Sequence, residues 1–153
     1  MNITSTPTRQ KVLRLFEWVC TVFGAAVCLV VVISFASQQP DNLWLLPGLY
    51  FIEIALLGLL GVASRAMDTN PASAVWGAIP WGVGGALLSF VILGGFSIGP
   101  FLFPAMLTFW LAGTAADLRQ KRGFAGHFGL ALIAALLQGA LILTILLLSR
   151  PGN

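Results

Sequence analysis

The sequence predicts an all-α, polytopic transmembrane helix bundle of five spans, with the N-terminus inside and the C-terminus outside. Three observations predict it. Hydrophobic residues fill 58% of 153 positions and charged residues only 8%, against about 25% charged in a soluble domain. So few ionisable groups cannot cover a water-facing surface, so hydrocarbon is expected to be the main solvent. The apolar runs have lengths near the roughly 20 residues that carry a helix across a bilayer. The eight Lys and Arg residues collect at alternate ends of those runs.

Residues 1–11 form a polar tail, expected on the cytoplasmic side. The first span is expected over residues 12–36, interrupted near its start by Arg14 and Glu17. An i,i+3 pair of these two at the interface accounts for the glutamate. The basic start, apolar core and small residues Ser34 and Ala36 also have the form of a cleavable signal peptide. The apolar stretch 19–36 exceeds the usual core of about 7–15 residues, and the segment is read as a retained span. A polar turn at 37–42 separates it from the second span, 43–66, which ends at Arg65 and runs into the polar stretch 67–73.

Residues 74–116 contain no charged side chain over 43 positions, which is too long for one span and fits two. The break belongs near 94–100, where Gly94, Gly95, Gly99 and Pro100 favour a tight turn. Span three is therefore expected over 74–95 and span four over 100–116. Pro100 suits a first helical turn, where no N–H bond is lost, whereas Pro104 should kink or tilt the helix. The shortness of this segment leaves a re-entrant hairpin as the alternative. A charged loop at 117–123 leads to the fifth span, 125–149, and a short external tail at 150–153.

The distribution of positive charge sets the orientation. Five spans with the N-terminus inside put Arg9, Lys11, Arg14, Arg65, Arg119, Lys121 and Arg122 on the cytoplasmic side and only Arg150 outside, seven against one. A re-entrant fourth segment would place the basic loop outside, so the count favours a full span. Trp18, Trp76 and Trp81 are expected as anchors near the inner face and Trp44 near the outer, with Trp110 deeper.

Glu53, in the middle of span two, is the first candidate for chemistry, since an ionisable residue inside a membrane is costly. Tyr50 shares its helical face. Counting depth from the span ends places Gln138 of span five and Ser89 of span three at a similar level, so Glu53, Gln138, Ser89 and Tyr50 form a possible intramembrane polar site. A neutral Glu53 serving as interhelical glue is the plainer reading of the same cluster. Ala131, Ala135 and Gly139 recur every four residues along span five and read as a helix-packing stripe. Cys20 and Cys28 lie about 12 Å apart along one helix, too far for a disulfide, and read as small packing residues. His127 reads as interfacial, and Asp117 as a partner of Arg119–Arg122 in a solvated loop.

No metal site, cofactor or enzymatic activity is expected: there is one histidine, and no HExxH, P-loop, CxxC or nucleophile elbow. Nucleic acid is excluded as a partner because the positive residues sit at span ends, not on a patch. The size and the lone membrane glutamate resemble the small multidrug-resistance exporters. Those have four spans with the essential glutamate in the first, whereas Glu53 lies in the second of five. The expected function is a structural or accessory helix-packing protein of a membrane complex. The alternative is a small oligomeric transporter or channel, coupled to protons or cations at Glu53. Expected partners are the lipid bilayer and either further copies or other membrane subunits. The expected location is a prokaryotic plasma membrane.

Overall fold

The computed structural model describes residues 7–38, 46–68 and 74–148. Among them are five α-helices: α1 Pro7–Ala36, α2 Leu46–Met67, α3 Ala74–Leu93, α4 Gly99–Gln120 and α5 Phe124–Leu148. Each contains a stretch long and apolar enough to cross a membrane. The all-helical, five-span fold class is thus what the structure has. The tail 1–6, the Trp44 anchor, Asp41, the loop 69–73 and Arg150 lie outside the described residues.

The helix bounds differ from expectation in two informative places. α1 starts at Pro7, inside the expected polar tail, and runs for 30 residues, or about 45 Å. Proline is at home in a first helical turn, and Arg9, Lys11 and Arg14 stay exposed on this extension. α4 is one helix of 22 residues with Pro104 inside it, about 33 Å, which is a full span and not a hairpin. It continues through Asp117, Leu118, Arg119 and Gln120, which the sequence places in a solvated loop. The helix ends only at Lys121, whose left-handed backbone (φ 53°) lets its N–H bond the Asp117 carbonyl. The expected break between spans three and four is a compact turn: Ser97 N–H and Gly99 N–H both donate to the Gly94 carbonyl, at 2.8 and 2.7 Å.

α1, α2, α3 and α4 close into a ring in which each helix packs on its two neighbours, and α5 lies outside it against α3. The centre of the ring is apolar. Phe109 of α4 and Leu87 of α3 are fully buried, with Ile54 of α2 and Cys28 of α1 beside them. Phe109 reaches across the ring because Gly24 of α1 and Gly61 of α2 leave room for its ring; a Cβ at either glycine would overlap it. Both cysteines are buried free thiols, packed as expected of small apolar residues.

The α3–α5 contact is made by small residues. Gly85 lies so close to the Ala131 carbonyl that no Cβ fits between them. Ser89 donates to the Ala135 carbonyl one turn further on, and Gly139 faces the Ser89 hydroxyl. The Ala131–Ala135–Gly139 stripe is therefore occupied within the chain. Apart from Ile142, which is buried, most of the large side chains of α5, including Leu132, Ile133, Leu136 and Leu137, are exposed, as a lipid-facing surface would be.

Candidate functional site

Apart from Glu53, the buried charged residues gather at one end, where α1 begins and α2 and α4 finish. Glu17 is the centre of this cluster. Its side chain is 1% exposed, and it accepts from Arg65 Nη1 at 2.8 Å. Arg119 approaches the same carboxylate as a fork, Nε to Oε1 at 2.8 Å and Nη2 to Oε2 at 3.1 Å. Arg119 Nη2 also donates to Asp68 Oδ2 at 2.6 Å, while Arg65 lies 3.6 Å from that carboxylate and donates to the Trp76 carbonyl. Two guanidinium groups and two carboxylates thus form a neutral set linking α1, α2 and α4. Glu17 is not the partner of Arg14. A one-turn pair at the surface leaves a carboxylate half solvated, whereas this one is fully buried and takes charge-assisted bonds from two other helices.

A second node lies beside it on the same turn of α4. Asp117, 3% exposed, accepts from Trp81 Nε1 of α3 at 3.2 Å. Its other oxygen faces His127 Nδ1 of α5 at 2.7 Å. Asp117 is therefore not a solvated loop residue, and His127 is not a bare interfacial one. Trp81 is buried among Trp110, Phe124 and Phe128, with ring centroids 4.9 to 6.4 Å away, so it serves as core and not as an interface anchor. Through Asp117 and Arg119, two residues apart, the last turn of α4 reaches α1, α3, α5 and Asp68, the residue that follows α2.

The polar residues expected near mid-membrane are divided among three places. Ser89 belongs to the α3–α5 seam, and Gln138 Nε2 is buried near that level with no hydrogen-bond partner among the described residues. Tyr50 turns into a cavity of about 420 Å³ near the opposite end of the bundle, lined by Phe35, Phe90, Ile98 and Ile142 among others. Its ring meets Phe90 edge-on at 6.0 Å. Glu53 does neither. It is half-buried in a shallow groove whose other walls are Leu56, Leu57, Leu59, Leu60 and Ala63 of its own helix. Among the described residues it makes no hydrogen bond or ion pair, so the structure does not join Glu53 to Gln138 or Ser89. α2 and α5 both pack on α3, and the cavity at Tyr50 separates them there. Counting residues along an axis fixes depth but not the direction a side chain faces.

A third feature is a cavity of about 400 Å³ beside the ionic cluster, between the start of α1 and the end of α4. Arg9, Arg119, Lys121 and Arg122 line it, with Asp117 and the leucines at 13 and 118. Among the described residues no group of three or more His, Cys, Asp and Glu side chains is arranged to hold a metal ion. No family model, curated protein or solved structure matches the chain.

Proposed function

We propose that the protein is an accessory membrane protein, not an enzyme, that works by helix packing in the plane of the bilayer. Its contact for another membrane-embedded chain is the α2 face around Glu53. The observation that carries this reading is the direction of that one carboxyl group. Glu17, Asp68 and Asp117 are bound inside the chain; Glu53 looks sideways, between exposed leucines. An acidic residue at the centre of a lipid-facing helix costs about 3 kcal/mol. A hydrogen-bond donor or acceptor on a neighbouring helix offsets that cost. The filled centre of the ring, with Ile54, Leu87 and Phe109 buried there, supports packing over conduction through one bundle. The seven-to-one basic asymmetry supports an orientation with the N-terminus in the cytoplasm.

Site-specific photocrosslinking in intact membranes tests the proposal. A photoreactive residue at Leu56 or Leu60 is expected to give one discrete adduct, at twice the chain mass for a second copy or at another mass for a different subunit. The same group at Leu136 of α5 serves as control. Loss of the α2 adduct in Glu53→Leu, with the folded protein still present, is the expected second result. Equal, diffuse labelling at both sites contradicts the reading.

A second reading, a proton- or cation-coupled transporter, draws on the same carboxyl. It needs an oligomer, because the path would run between chains at Glu53. Proton-coupled flux in liposomes that survives Glu53→Gln removes it.

A further inference from the structure

We infer that the basic cavity between the start of α1 and the end of α4 is a binding site for the phosphodiester headgroup of an anionic phospholipid. The proposal does not depend on the role of Glu53.

Basic side chains outnumber acidic ones in the cavity lining even with Arg119 counted in the ionic cluster beneath it. Arg65 and Arg119 balance Glu17 and Asp68 within that set. Asp117, the one acidic residue in the lining, has one oxygen on Trp81 and the other on His127. Arg9, Arg119, Lys121 and Arg122 thus stand in the lining against the single carboxylate of Asp117, and the cavity is net positive. They converge for a local reason. The left-handed turn at Lys121 folds the chain back, so that Lys121 N–H and Arg122 N–H both bond the Asp117 carbonyl. This holds the two basic residues at the end of α4, while the five-residue extension of α1 below residue 12 brings Arg9 opposite them.

Shape and depth select a lipid over a free anion. The volume of about 400 Å³ falls in the range of ligand sites, roughly 300–1,000 Å³. The cavity carries leucine side chains at 13 and 118 beside the cations, and Leu118 is 57% exposed. Cations with adjoining apolar side chains at a helix end match a headgroup whose glycerol and chains continue into the bilayer. Basic pockets between helices at this level are suited to such headgroups.

The test is native mass spectrometry of the purified full-length protein in detergent, titrated with phosphatidylglycerol, phosphatidylcholine or inorganic phosphate. Wild type is expected to retain phosphatidylglycerol and to lose phosphatidylcholine. Arg9→Gln/Lys121→Gln should weaken that retention about tenfold or more, from about 1 kcal/mol per basic residue near the headgroups. Lys11→Gln/Arg14→Gln removes the same charge from exposed positions outside the cavity and should stay within about twofold. Lys121→Gly guards against misfolding: glycine accepts the left-handed backbone without strain, so stability holds while retention falls. Equal losses from both double variants, equal retention of the neutral lipid, or displacement of the lipid by millimolar inorganic phosphate would each overturn the inference.

Discussion

Arg119 shows most clearly how much depends on single side chains. It holds Glu17 with two nitrogens and Asp68 with a shared one, and only a planar guanidinium offers donors in that fork. Arg119→Lys keeps the charge but loses the second bond to Glu17. It should lower stability in detergent by about 1–2 kcal/mol, within the range of a bond to a charged group, read as a fall in thermal midpoint. Asp117→Asn keeps the shape at the other node but presents one oxygen where two are used. Either Trp81 or His127 then faces an amide N–H, so the indole fluorescence or the His127 side-chain NMR signal should shift; no change in either would show that these bonds are absent. These contacts were not legible in the sequence. Glu17, Arg65, Asp68 and Arg119 are separated by as many as 102 residues, and each has a bland local explanation as an interfacial charge. The clue was that Asp117 and Arg119 follow an apolar run without a break in helical propensity.

At the scale of helices, length and hydropathy made all five spans readable, because hydrocarbon demands a long apolar segment with its backbone bonds satisfied internally. The ends were harder, since a charged turn stays helical when its side chains find partners on neighbouring helices, as in α4. The packing stripe on α5 was visible as three small residues, but the helix it meets was not; Gly85 and Ser89 on α3 complete it. Gly85→Val is expected to push α5 off α3, because the added carbons would occupy the place of the Ala131 carbonyl. Increased protease cleavage in the α4–α5 connection would report it. Phe109→Ala empties the centre of the ring and should cost about 2 kcal/mol. In lipid, the transfer part of the usual penalty fades and the cavity part remains.

The whole molecule divides into an end where Glu17, Asp68 and Asp117 are all bound by side chains of the chain itself and an apolar remainder with one side-facing carboxyl. That division underlies the functional reading. Glu53, with no hydrogen bond or ion pair among the described residues, faces outward to whatever adjoins the chain in the membrane. The same division makes the last turn of α4 the fastening of the bundle, since Asp117 reaches α3 and α5 while Arg119 reaches α1 and Asp68 just past the end of α2. A double-mutant cycle on Glu17 and Arg119, followed by thermal unfolding in detergent, measures this most directly. Glu17→Leu and Arg119→Leu alone each leave a buried charge uncompensated, and each should cost about 3–5 kcal/mol. The double variant leaves Arg65 with Asp68, a neutral pair, and should recover about 2–3 kcal/mol of the summed loss. Simple additivity of the two losses would mean that these residues do not share a buried network, and that α4 does not hold the bundle together in this way.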